Sequence, residues 1–294
     1  MIFVSQGHEK GIGVEVFLRS LSCLPISLHS KIKFIVSPKT LEQNTKFFTD
    51  HNLIRSIIFN PEFSKNSSEN ETMASLLAAL DTIGPKDILL TLPSSKDQFI
   101  YQGSSHTGHT EFFRNYFKNE LISMLFIGSS FHLLLLTEHI SISQVAPTLK
   151  RGKIRERIQL ALSSLNHNVK QVVLLGIDPH CGDKGAISFI DGLWDDVKNV
   201  TWPNKIKILG PISADSLLQN PNLSSSSLVV SAYHDQGLSL FKSVHGHFGI
   251  NRTIGMPFMR LSPDHGTAFD LYNKGTASIQ GTLHTLLYAL KNQV

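Results

Sequence analysis

Short apolar runs alternate with amphipathic stretches along most of the chain. Ile2–Ser5 is apolar, leads through Gly7 into Gly11-Ile12-Gly13, and is followed by the amphipathic Val14–Leu21. Strand, glycine turn and helix fit that order. The same pattern predicts strands at Lys31–Val36, Ser56–Phe59 and Ile88–Leu92. It predicts helices over Lys39–His51 and Thr72–Ile83, and a surface loop at Asn66–Asn70. Residues 103–117 are polar and dotted with glycine, and a helix starts there at Glu111. Beyond them strands are expected at Leu125–Ile127, Leu133–Leu136, Val172–Leu175, Ile206–Leu209 and Leu228–Ser231. Helices are expected at Ile154–Leu165 (after a basic turn of Lys150, Arg151 and Lys153), Ile187–Val197, Ala214–Leu218 and Ala277–Lys291. Alternation of this kind implies an α/β layered fold with largely parallel strands.

A chain of 294 residues has room for about two domains. The division expected is a first lobe from residues 1–100 with 250–294. A central lobe takes residues 101–249. Hydrophobic residues make up 41% and charged residues 17%, with a net charge of +4. No long Lys/Arg run with interleaved aromatics appears, so neither nucleic acid nor a disordered chain is indicated. Leu121–Leu136 is broken by Gly128-Ser129-Ser130 and His132 and falls short of a membrane span. The two cysteines, Cys23 and Cys181, form no disulfide framework, which fits a reducing cytoplasm. The N-terminus lacks the form of a secretory signal.

Three of the predicted strands lead within a few residues to a histidine: His139, His180 and His234. Ligands of α/β sheets bind beyond the carboxyl ends of strands, and three imidazoles there suit a divalent transition metal. With 14 histidines in the chain, chance placement is the alternative. Ser231–Asp270 is the densest stretch. It carries His234, Asp235, Lys242, Asn251, Arg260 and the run Asp264-His265-Gly266-Thr267 among apolar residues. Arg grips a carboxylate or phosphate with paired hydrogen bonds, and Lys acts as a point charge. Gly108-His109-Thr110-Glu111 opens a helix, where free N–H groups favour an anion. Thr110 either touches that anion or caps the helix. Gly7…Gly11-Ile12-Gly13 does not fit the GxGxxG fingerprint and reads as a tight turn allowing close backbone approach.

These motifs resemble those of the 4-hydroxythreonine-4-phosphate dehydrogenases, the PdxA family of pyridoxal phosphate synthesis. The resemblance runs through Gly7–Glu15, Gly108–Phe112, Leu136–His139, Ile177–Asp183, Gly210–Ser216, Tyr233–Gly237 and Asp264–Ala268. It implies two α/β lobes around a cleft, like the isocitrate and isopropylmalate dehydrogenases. It implies metal ligands at His139, His180 and His234, and a homodimer whose active site lies at the interface and draws ligands from both subunits. Substrate binding falls to His109, Thr110, Lys242, Asn251 and Arg260, with proton transfer or orientation by Lys242 and Asp235. The nucleotide, NAD or NADP, lies against Asp264, His265, Gly266, Thr267 and Asp270. The implied reaction is oxidation and decarboxylation of 4-phosphooxy-L-threonine with zinc, magnesium or cobalt. The chain departs from the family pattern at His8-Glu9-Lys10 and at Tyr272-Asn273, which adds bulk near the expected nucleotide. The alternatives are a dehydrogenase for another phosphorylated hydroxy acid and a phosphate-ligand binder that does not use NAD.

Overall fold

The computed structural model describes residues 1–47, 57, 70–166, 168–220 and 222–293. The chain divides into two compact units. The first comprises Met1–Lys118, Ile250–Arg252 and Met256–Val294, and the second Asn119–Gly249 and Thr253–Gly255.

In chain order the first unit opens with β1 (Ile2–Ser5), α1 (Gly13–Leu21), β2 (Ile32–Ile35), α2 (Pro38–Asn44) and α3 (Glu71–Thr82). It continues through β3 (Ile88–Thr91), a hairpin of β4 (Ile100–Tyr101) and β5 (Ser104–Ser105), and α4 (His109–Tyr116). The second unit holds β6 (Ser123–Ile127), β7 (His132–Leu135), α5 (Ile142–Arg151), α6 (Ile154–Ser164) and β8 (Gln171–Leu175). These are followed by the short α7 (Asp195–Lys198), β9 (Lys207–Ile212), β10 (Ser227–Ser231) and α8 (His234–His245). The strand β11 (Ile250–Ile254) is shared between the units, and β12 (Met259–Pro263) and α9 (Gln280–Asn292) return to the first.

The first unit's strands run in the order β2-β1-β3-β12, all parallel. Every residue of β1 and β3 is buried, as expected of parallel strands covered on both faces. Helix α1 lays Phe17 on Phe34 of β2, with ring centroids 4.7 Å apart. In the second unit the order is β6-β7-β10-β8-β9. Only the β6–β7 hairpin is antiparallel there. Leu238 and Phe241 of α8 join Phe126, Phe131, Leu133, Val173 and Val229 in one core. Beside it, His245 closes the helix on the β6–β7 turn. Its Nδ1 donates to Phe241 O and its Nε2 accepts the Ser130 N–H.

The structure departs from the sequence pattern at identifiable places. The strand expected at Ser56–Phe59 lies outside the described residues except for Ile57, which is helical and buried. The loop expected at Asn66–Asn70 is likewise outside except for Asn70, which caps α3 by accepting the Met73 N–H. Helix α2 ends at Asn44 and tightens into a 3-10 turn at Thr45–Phe47. Instead of one helix over Ile187–Val197 there is a 3-10 turn, Ile190–Trp194, and the four-residue α7. Gly192 weakens a helix there, and Asp191 is drawn away to accept from Ile177 N and Trp194 Nε1. Helices α5 and α8 were not expected. Pro147 inside α5 removes a backbone donor and hides that helix in the sequence.

The glycine turn after β1 is a close backbone approach. His8 N–H donates to Pro93 O, and a Cβ on Gly7 would lie 2.1 Å from that same oxygen. Gly7→Ala therefore forces two backbones apart, and overpacking of this kind costs about 1–3 kcal/mol. Chemical denaturation is expected to show a loss in that range. An unchanged midpoint would mean that the turn yields freely.

Candidate active site

The first unit buries a cation, Arg260. This residue stands on β12 with 2% exposure. Its guanidinium donates to the Thr91 hydroxyl at the end of β3 and lies 5.7 Å from the centre of the Phe113 ring on α4. Burial pulls its pKa down to about 9. His109, the first residue of α4, packs edge-on against Phe99 at 4.5 Å. Desolvation, and then the charge of Arg260, hold its pKa well below the ordinary imidazole value. At neutral pH His109 is therefore an uncharged ring with one N–H to donate.

Helix α4 opens without a side-chain cap. Gly108 is the N-cap residue, at φ 152° and ψ −171°, a conformation essentially confined to glycine. Thr110 is the second helical residue and buried, so it does not cap the helix. On β11, Asn251 Oδ1 is buried and has no hydrogen-bond partner among the described residues. Its amide, turned either way, offers a ligand an unused polar end. A phosphate fits this donor set: a guanidinium, a neutral imidazole, an amide and an uncapped helix start.

The loop Asp264–Asp270 belongs to the same unit and is anchored at several points. Ile12 N–H donates to Thr267 O. His265 Nδ1 lies 3.1 Å from Gly266 O and its Nε2 lies 2.8 Å from Thr282 Oγ1. A carbonyl only accepts, so Nδ1 carries the hydrogen and Nε2 accepts from the threonine. Gly266, Phe269 and Asp270 are exposed, and nothing lies within 4 Å of a Cβ built on Gly266. Tyr272 OH donates to Gln43 Oε1, so its reach is toward α2. A firmly held loop with an open glycine, an exposed ring and a carboxylate fits a nucleotide.

The second unit carries the histidines. His139 lies beyond β7 and His234 opens α8. Their ring centroids are 5.5 Å apart, compatible with one ion taking a bond of about 2.0–2.1 Å from each. Asp235 Oδ1 lies 2.6 Å from His234 Nδ1. A carboxylate in that place fixes the tautomer and leaves Nε2 for a metal. His180 is exposed on a left-handed turn in which residues 180–184 all have positive φ. Among the described residues no three His, Cys, Asp or Glu side chains group closely enough to hold an ion. The donor chemistry fits a divalent metal, and one chain brings together two of the three imidazoles.

Asp235 and Lys242 lie seven residues apart on α8 and are both exposed. That spacing places them on one face of the helix. Sequence reasoning did not single out Thr91 or Gln236. Thr91 is the lone polar residue closing the apolar run Ile88–Thr91, which was the available signal. Gln236 sits inside the Tyr233–Gly237 motif, and its partners are visible only in the fold.

The fold is of the isocitrate dehydrogenase kind. The chain is similar to isocitrate dehydrogenase of Methylococcus capsulatus at 10% identity, with a TM-score of 0.52 over 99% of this chain and 85% of that one. It is more similar to the crystal structure of 4-hydroxythreonine-4-phosphate dehydrogenase from Klebsiella pneumoniae. There the TM-score is 0.72 and the identity 22%, over 100% of this chain and 99% of the other. The family described as pyridoxal phosphate biosynthetic protein PdxA matches residues 17–289, and the chain belongs to that family. A 4-hydroxythreonine-4-phosphate dehydrogenase of Bacteroides thetaiotaomicron is 28% identical over 307 residues, covering 94% of this chain and 84% of that protein. A D-threonate 4-phosphate dehydrogenase of Bordetella bronchiseptica is 33% identical over 204 residues, covering 68% and 58%.

The depressed pKa of His109 has a stability consequence with a definite sign. The unfolded chain takes up the proton at about pH 6.5, while folded His109 takes it up only well below that. The folded state is therefore favoured above this range and loses that advantage as pH falls through it, by up to about 1.4 kcal/mol per pH unit. Urea unfolding of the wild type and His109→Gln from pH 7.5 to 5 is expected to show the wild type falling more steeply. Parallel curves would place His109 in a wetter, ordinary environment.

Proposed function

We propose that this chain is a metal-dependent NAD(P) dehydrogenase that oxidises and decarboxylates 4-phosphooxy-L-threonine to 3-amino-2-oxopropyl phosphate, in the synthesis of pyridoxal 5'-phosphate. The observation that carries the reading is the phosphate-shaped donor set of His109, Thr110, Asn251 and Arg260, built on β11, β12 and the start of α4. Membership of the PdxA family and the names of the relatives above support the choice of reaction.

Arg260 grips the phosphate with its fixed fork of donors. Neutral His109 donates one hydrogen bond without adding a second charge beside Arg260. Thr110 and Asn251 complete the grip. His139, His180 and His234 supply the metal ligands, and Asp235 orients His234. The two imidazoles assembled within one chain support a homodimer, in which a second copy completes the metal shell. The exposed Ile140, Ile142, Ile187 and Phe189 of the second unit, near His139 and His180 in sequence, suit such an interface. A divalent ion, whether zinc, magnesium or cobalt, would supply Lewis acidity to the substrate oxygens, and NAD or NADP against Asp264–Asp270 would accept the hydride. The oxidised substrate is a β-keto acid that loses carbon dioxide readily, and Lys242 supplies a cation for the anionic charge that develops. Among the described residues no helix is long and apolar enough to cross a membrane. The two free cysteines suit a cytoplasmic enzyme.

A second substrate, D-threonate 4-phosphate, is favoured by the 33% identity to the Bordetella protein. The phosphate grip serves either compound. The test is reduction of NAD+ and NADP+, followed at 340 nm with each substrate and with added zinc, magnesium or cobalt. Turnover of 4-phosphooxy-threonine, at a kcat/KM at least tenfold above that for the threonate, is expected. Preference for the threonate moves the chain to the second reading. Binding of the phosphate compound with no reduction in any combination removes the dehydrogenase reading. Arg260→Met is expected to lower kcat/KM by about 10²-fold or more, from the loss of a charged, buried hydrogen-bonding partner.

A further inference from the structure

In the second unit β10 lies between β7 and β8, and the exits of these three strands lead to His234, His139 and His180. The histidines lie three, four and five residues past the last residue of their strands, on backbone that the sheet no longer holds. The exits are nevertheless tied to one another. Leu136 N–H donates to Ser231 O, which extends the β7–β10 pairing by one bond. The Thr137 hydroxyl then donates to Ala232 O at 2.7 Å. Gln236 carries the tie onward. Its Oε1 accepts the Ala232 N–H at 3.1 Å, and its Nε2 donates to Gly176 O at 2.6 Å. Gly176 N–H donates in turn to Ile212 O at the end of β9.

We propose that Gln236, together with Thr137, is a positioning residue that sets the spacing of the three histidine-bearing strand exits. The inference rests on the metal reading above. The chemistry is specific to a primary amide. One end must accept from a backbone N–H and the other must donate to a backbone carbonyl, and these two partners also fix which way round the amide lies. A glutamate keeps the first bond and loses the second. A methionine keeps the volume and loses both, together with the bond that Oε1 accepts from the Ser231 hydroxyl at 3.0 Å, leaving Gly176 O, Ala232 N and Ser231 Oγ without this partner. Thr137 is 4% exposed and makes its bond to Ala232 O with a hydroxyl that serine also has and valine lacks. None of these side chains is proposed to touch the ion. Their effect passes through the backbone that carries His139, His180 and His234.

The test is a Co2+ titration of the full chain, followed by the visible absorption of the bound ion and by competition with a chelator. The proteins are the wild type, Gln236→Met, Thr137→Val and Thr137→Ser. Gln236→Met and Thr137→Val are expected to bind Co2+ about 10–100-fold more weakly, as when groups that orient metal ligands are removed. An altered absorption band is expected in both, and Thr137→Ser should recover affinity and spectrum. A purely structural role would lower the melting temperature of the metal-free protein and leave the spectrum of the bound ion unchanged. Unchanged affinity and spectrum in Gln236→Met overturn the proposal. Should that variant fail to fold, equal Co2+ affinity in Thr137→Val and Thr137→Ser overturns it. Absence of Co2+ binding to the wild type overturns the metal reading itself, and the proposal with it.

Discussion

Arg260 is a full positive charge on a residue with 2% exposure, and the first unit's chemistry follows from having to keep it there. Moving an ion out of water costs several kcal/mol even after the protein relaxes. The Thr91 hydroxyl and the face of Phe113 recover part of that. Neighbouring His109 stays neutral, first because it is itself desolvated and then because a second cation beside the first would raise the cost again. What remains is a buried positive charge that favours an anion beside it. Beside this charge lie the neutral imidazole of His109 and the uncapped start of α4.

The second unit has the opposite polarity. Its His139 and His234 rings lie 5.5 Å apart beside the Asp235 carboxylate, and its strand ends are joined by uncharged hydrogen bonds. Two departures from the family pattern border the loop Asp264–Asp270. His8 packs its ring edge-on against Phe269 at 4.8 Å, and Tyr272 reaches to Gln43. Both changes brace the loop Asp264–Asp270 from outside while leaving Gly266 open.

Most strands were legible because a buried parallel strand is a short apolar run bounded by turns, as in Ile2–Ser5 and Leu228–Ser231. Helix α8 was obscured because its first turn, His234-Asp235-Gln236-Gly237, reads as chemistry before it reads as a helix. The segment Ile187–Val197 misled in the other direction. Ile187, Ile190, Trp194 and Val197 repeat with helical spacing, but Gly192 and the captured Asp191 break the helix. The site residues stood out because polar groups beyond apolar runs are conspicuous. Their supports did not, since each pairing joins distant parts of the chain. Arg260 and Thr91 are 169 residues apart, Thr137 and Ala232 are 95 apart, and Gln236 and Gly176 are 60 apart. No local pattern records a bond of that kind.

The strand order of the second unit also bears on how the chain is made. On the ribosome β7 and β8 emerge well before β10, the strand that separates them in the sheet. Until residues 227–231 appear, both present an open edge toward a gap one strand wide, and open edges invite pairing with the wrong chain. Domains generally fold as units during synthesis, so the sheet of this unit stays incomplete until β10 has been translated. A nascent chain arrested before that point carries the segments of two of the three histidines and has nothing to hold them in register. Sequences that slow translation just upstream of β10 would lengthen the interval in which the half-built sheet needs a chaperone.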